Sequence, residues 1–195
     1  MKTAIFIIAL AADLAILLLS LIALVRKNFQ FWPPSSTKSW QYYAFWGLFR
    51  VMFLGVIVLS VLDFNGLNGA DLVWRYYVGI PLATAGFGLA FYITFYLGWK
   101  NAHGEKEELV TDGFYGWSRN PVYVVSIVGL IGLGLAIHSG LVYTLLAIWA
   151  FFYIIAPFLE EPWLEEQYGK EFLTYKMRVP RFIGLVYQVK NINDQ

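Results

Sequence analysis

Apolar residues run along this chain in long blocks rather than in alternation. Five blocks are long enough for a helix to cross a bilayer, which takes about 20 residues: 3–25, 43–62, 75–98, 121–138 and 141–159. Turn formers separate them. Pro33-Pro34-Ser35-Ser36 follows the first block, and Asn65-Gly66 with Asn68-Gly69 follows the second. A polar stretch, 99–120, follows the third, and only His138-Ser139-Gly140 separates the last two. So short a link predicts an antiparallel helical hairpin. Pro121 suits the first position of a helix, where a missing N–H costs nothing, and Asn120 before it suits the cap. The expectation is an all-α polytopic membrane protein of five spans, organised as one unit: three N-terminal spans over 1–98 and a second half over 99–195.

After residue 159 the pattern changes. Leu164, Tyr168, Phe172 and Tyr175 recur at helical spacing opposite Glu165, Glu166 and Glu171, which predicts a C-terminal amphipathic helix. Gly169 weakens that helix and leaves space beside its backbone. The small residues Ala83, Ala85, Gly86, Gly88 and Ala90 of the third block match Gly129, Gly132 and Gly134 of the fourth, a pattern that lets membrane helices approach closely.

Composition agrees: of 195 residues 59% are hydrophobic and 14% charged, with a mean hydropathy of +0.59. A soluble domain of this size needs a more polar surface. The net charge of +1, with no basic run interleaved with aromatics, argues against nucleic acid as a partner. There is no cysteine, which removes disulfide and thiolate chemistry, and His103 and His138 have no metal-ligand spacing, so no metal is expected. The first apolar run exceeds the ~7–15 residues of a signal-peptide core and reads as a retained span. Under a five-span arrangement Arg26, Lys27, Lys38, Lys100, Lys106, Arg119, Lys170, Lys176, Arg178, Arg181 and Lys190 fall on one side, with Lys2 and Arg75 on the other. The positive-inside rule then puts the N-terminus outside, and both the 99–120 loop and the C-terminal tail in the cytosol, where they can meet. Asp13 and Arg50 lie inside spans. Charges at such depth usually pair, so an Asp13–Arg50 ion pair is expected.

The chemistry collects at the cytosolic boundary. Arg119 and the start of the fourth block offer an anion site, while Glu160 and Glu161 offer carboxylates for an amine or a diol. Tyr115, Trp117, Tyr123, Trp163 and Tyr168 offer rings for a planar base or a cation. A ligand with a carboxylate, an amine, a diol, a base and a positive sulfur, such as S-adenosylmethionine, would use all of them.

Two motifs carry a resemblance. Glu108-Leu109-Val110-Thr111-x-Gly113-x-Tyr115-x-Trp117-x-Arg119-Asn120-Pro121-x-Tyr123 comes first. It is followed by Glu160-Glu161-x-x-Leu164-x-x-x-Tyr168-Gly169-x-x-Phe172-x-x-Tyr175-x-x-x-Val179-Pro180-Arg181. The pair resembles the isoprenylcysteine carboxyl methyltransferase family, which groups with phospholipid N-methyltransferases. The likeness covers about 107–183.

It implies an integral membrane methyltransferase that uses S-adenosylmethionine and takes a lipophilic acceptor from the bilayer. It implies cofactor contacts from Glu107, Glu108, Leu109, Val110, Tyr115, Asn120, Pro121, Val122, Tyr123 and Glu160. Arg119, Asn120 and Glu161 would form and shape the catalytic site, and Arg181 would close it. Two positions depart from the eukaryotic members: Asn120 replaces a His, and Ala156 replaces an Arg that meets the substrate carboxylate. The acceptor therefore stays open between a prenylcysteine carboxylate and a phospholipid amine. The rival readings are an NADPH-dependent sterol-type reductase, although Val122 and Val124-Val125 do not match its motif, and a non-catalytic lipid-binding protein.

Overall fold

The computed structural model describes residues 1–26, 28–64, 73–98, 101 and 108–184. Within them the chain forms six α-helices: α1 (Lys2–Val25), α2 (Trp40–Asp63), α3 (Trp74–Leu97), α4 (Pro121–Ile137), α5 (Gly140–Tyr168) and α6 (Lys170–Arg178). A single 3₁₀ turn, Gly113–Gly116, precedes α4. No strand occurs among the described residues. Helices α1, α2, α3 and α5 are long and apolar enough to cross a membrane, which makes this a multi-pass membrane protein. Helix α4 is apolar but has only 17 residues, about 25 Å at 1.5 Å per residue, and so falls short of the full crossing expected for 121–138.

The helices form two packed groups joined by the α4–α5 hairpin. Helices α1 and α2 lie against each other and against α5, whereas α3 lies along α4. Backbone proximity explains the second contact. A Cβ on Gly132 would meet the backbone nitrogen of Ala83 at 2.3 Å, and one on Gly86 would meet that of Gly129 at 2.3 Å. Lipid is as apolar as leucine, so close van der Waals approach, not burial from water, holds such helices together. At the hairpin His138 takes the left-handed conformation (φ 54°), and Ser139 caps α5 by accepting from the Val142 N–H.

At the end of the bundle away from the tail, Asp63 of α2 accepts from Lys2 Nζ at 2.6 Å and from the Ser139 hydroxyl. That one carboxylate ties the start of α1 and the hairpin to α2.

Three expectations change. The Asp13–Arg50 pair does not form: Asp13 is 1% exposed and its Oδ2 has no hydrogen-bond partner among the described residues, while Arg50 is exposed. Buried Phe45, Met52, Val56 and Leu59 mark the inward face of α2, and Arg50 sits about 200° round the helix from Met52. The fifth apolar block does not stop at 159, because α5 continues through Pro157 and Pro162 to Tyr168. The expected tail helix is therefore split at Gly169 (φ +53°, ψ −125°) between the end of α5 and the nine-residue α6. A Cβ on Gly169 would meet nothing within 4 Å, so backbone conformation, not crowding, selects glycine there.

Candidate functional site

The polar segment before α4 and the tail after α5 meet, as their charge placement predicts. The Arg119 N–H donates to the Pro180 carbonyl at 2.9 Å, and the Tyr175 hydroxyl donates to the Tyr115 carbonyl at 2.7 Å. Asn120 lies at the cap position of α4, but its side chain does not cap the helix. Its Nδ2 donates instead to the Arg181 carbonyl at 2.9 Å, and its backbone N–H is held by Ser118 Oγ. Ile93, Tyr115, Phe172, Tyr175 and Val179 close this junction as a small buried cluster, with Leu164 and Tyr168 packed against it. The apolar face read from the tail sequence is thus the face that packs.

Continuity of α5 gives the two glutamates different surroundings. Adjacent helical positions point about 100° apart, so one carboxyl can enter a cavity while its neighbour enters the junction. Glu161 is 4% exposed and takes three charge-assisted bonds: from Arg119 at 2.7 Å and from Arg181 Nε and Nη2, both at 2.7 Å. Arg119 also donates to the carbonyls of Lys176 and Val179, and the Arg181 guanidinium lies 3.9 Å over the Phe158 ring. The Glu161 carboxylate beside it holds Arg181 above its already high range. Two arginines fixed on one carboxylate with good geometry make a clamp between α4, α5 and the tail.

Glu160 lines a cavity of about 350 Å³ instead. Its Oε1 accepts from the Tyr123 hydroxyl and from Trp32 Nε1, the latter at 2.5 Å. The same cavity is lined by Glu108, Leu109, Val110, Tyr115, Arg119, Asn120, Val122 and Tyr123. Segments as far apart in sequence as Trp32 and Glu160, 128 residues, therefore converge on one space. Pro121 is fully buried and does not line it, and neither does Glu161. Glu107 lies outside the described residues. Burial pushes the Tyr115 and Tyr175 phenols well up, so both stay neutral donors at physiological pH.

The cavity has a second, aromatic end that motif reading did not supply. Trp32 and Pro33 come from the α1–α2 linker, Phe45, Trp46 and Phe49 from α2, and Phe152 and Tyr153 from α5. Trp32 stacks on Phe45 with centroids 4.1 Å apart, and Tyr123 packs on Tyr153 at 5.0 Å. In sequence these rings resemble any aromatic belt at a membrane boundary. Only the Pro33-Pro34 turn between them hinted at a chain reversal.

Fold and cavity together describe a multi-pass helical membrane protein with a largely apolar, aromatic-rich pocket that carries a few polar groups at one end of its bundle. The phospholipid methyltransferase family matches residues 74–171, half of the chain, and the protein belongs to that family. Neither the curated proteins nor the solved structures give a significant match. The match begins at α3, so Trp32, Phe45, Trp46 and Phe49 stand outside it.

Proposed function

We propose that this protein is an S-adenosylmethionine-dependent methyltransferase acting on a lipophilic acceptor that enters from the bilayer. The observation that carries the reading is the single cavity that gathers Glu108, Tyr115, Asn120, Tyr123 and Glu160. Its polar groups suit the cofactor. Arg119 Nε is buried in the wall without a hydrogen-bond partner among the described residues, a donor left for an anionic group. Glu160 has both its bonds at Oε1, leaving Oε2 to accept from an amine or a ribose hydroxyl. The rings beside them suit an adenine. When bound, S-adenosylmethionine supplies an electrophilic methyl group: the acceptor's lone pair forms the new bond as the methyl–sulfur bond breaks, with its electrons remaining on sulfur.

The protein's share is to orient and to exclude water. Glu161, Arg119 and Arg181 hold the tail against the mouth of α4, and the aromatic end receives the apolar part of the acceptor. An amine head group fits the cavity better than a carboxylate. Arg119 and Arg181 are both held on Glu161, and the resemblance puts Ala156, which is fully buried, where the eukaryotic members carry the Arg that meets a substrate carboxylate. An amine must shed its proton before its lone pair can attack. The cytosolic placement of the site follows from the distribution of Lys and Arg.

Isothermal titration of the purified chain with S-adenosylmethionine, followed by incubation with labelled methyl donor and total membrane lipid, tests the reading. Saturable binding is expected, with Glu160→Gln weakening it about tenfold or more, the factor carried by a hydrogen bond to a charged group. Label is expected in an amine-bearing lipid. Absence of binding by the wild-type chain would overturn the reading.

A further inference from the structure

The α1–α2 linker lies outside the family match, yet it delivers a side chain to the centre of the cavity. Trp32 is 8% exposed, stacked on Phe45 and set edge-on to Trp46. Its indole N–H shares Glu160 Oε1 with Tyr123, so two donors from opposite halves of the protein fix one carboxyl. A second cavity, of about 430 Å³, lies between the end of α1, the linker and the C-terminal third of α5. Leu24, Phe29, Phe158 and Leu159 line it together with the polar Gln30 and Glu166, and Leu24 and Phe158 are also exposed on the outer surface. Trp32 and Trp163 belong to the walls of both cavities.

We propose that Trp32 selects the acceptor: its ring is the partition between a lipid-facing antechamber and the reaction cavity, and its N–H sets the Glu160 carboxyl. The inference rests on the methyltransferase reading and adds to it a residue, a route and a division of labour. The far part of an amphiphilic acceptor's apolar stem lies in the outer cavity, and the part next to the head lies past Trp32 along the Phe45 and Phe49 rings of the reaction cavity. Its polar head passes Trp32 to reach Glu160. The size of the opening at Trp32 then decides which head group passes, and the indole N–H decides how firmly Glu160 is held for the cofactor. These two functions belong to different parts of one side chain, so substitutions separate them. Trp32→Phe removes the N–H and keeps an aromatic partition, whereas Trp32→Ala removes both.

Full-length protein in nanodiscs serves for the test. S-adenosylhomocysteine binding is measured by titration, and transfer of labelled methyl is measured on phosphatidylethanolamine and on a farnesylcysteine analogue presented in phosphatidylcholine. Both variants are expected to bind S-adenosylhomocysteine about tenfold more weakly, because Glu160 keeps only the Tyr123 donor and is no longer held in place for the cofactor. Trp32→Phe keeps the wild-type ratio of rates on the two acceptors. Trp32→Ala changes that ratio by about tenfold, through KM more than kcat, the scale on which a pocket wall discriminates. Where Trp32→Ala does not accumulate, Trp32→Leu opens the same partition. Wild-type binding in both variants, or an unchanged acceptor ratio in the Ala or Leu variant, overturns the inference while the methyltransferase reading stands. A wild-type chain that neither binds S-adenosylhomocysteine nor labels either acceptor removes both.

Discussion

Glu161 shows how much one carboxylate can organise. It is nearly buried, and two arginines from different segments meet on it, with Lys176 also 3.6 Å away. A buried ion pair need not add net stability over an apolar substitute, but removing one partner strands the others. Glu161→Gln leaves Arg119, whose side chain is 9% exposed, without its charge partner, and should cost about 3 kcal/mol. Glu165→Gln is the control. Its ion pair with Lys176 is more than a third exposed on both sides, and its loss should cost less than about 1 kcal/mol. Thermal melts of both variants in one detergent check the difference. Equal melting temperatures would mean that Glu161 does not clamp the tail. Adjacent glutamates thus divide the work, one holding the junction and the other facing the cavity.

At the scale of elements, the closest helix contact is α3 on α4, and it depends on glycine. Gly132→Ala places a Cβ 2.3 Å from the Ala83 nitrogen, so the helices must separate, and overpacking of this kind costs about 1–3 kcal/mol. Gly88→Ala, on the same pair of helices, meets nothing within 4 Å and should be neutral or stabilising by up to about 1 kcal/mol. A urea or heat titration of both in the same micelles separates packing from helix propensity. The small residues on both helices made this contact legible in the sequence. The hairpin, the Pro121 start of α4 and the convergence of the 108–123 motif with the tail were legible for the same reason, since each depends on local spacing or on charge. The end of α5 was not. A proline and two glutamates read as a boundary, yet membrane helices tolerate proline when neighbours satisfy the freed carbonyl, and α5 passes Pro157 and Pro162 unbroken. The aromatic end of the cavity was illegible for another reason. Trp32, Phe45 and Phe152 come together only through packing of separate helices, and no local pattern distinguishes them from rings that face lipid.

For the whole molecule, the proposed function depends on one arrangement across the bilayer. The α1–α2 linker, the α4 mouth and the tail must share a face, because Trp32, Tyr123 and Glu160 are joined by hydrogen bonds. The α4–α5 link, held with Lys2 by Asp63, belongs to the opposite face. Helix α4 makes this a real question. Seventeen residues span about 25 Å, less than the ~30 Å of a hydrocarbon core, so α4 needs a thinned bilayer or a polar cavity at one end, and the site supplies the cavity. The chain contains no cysteine, so a single introduced thiol reports its own position. Ser35, Gly140 and Glu171 are exposed and make no described side-chain contact that holds the fold. In sealed right-side-out cells a membrane-impermeant maleimide should label Gly140→Cys at once, and should label Ser35→Cys and Glu171→Cys only after permeabilisation. Labelling of Ser35→Cys and Glu171→Cys from outside would invert the protein and put the site on the outer face, away from the cytosolic pool of methyl donor. Labelling of all three from one side would mean that α4 and α5 do not both cross, and that the hairpin enters and leaves by the same face.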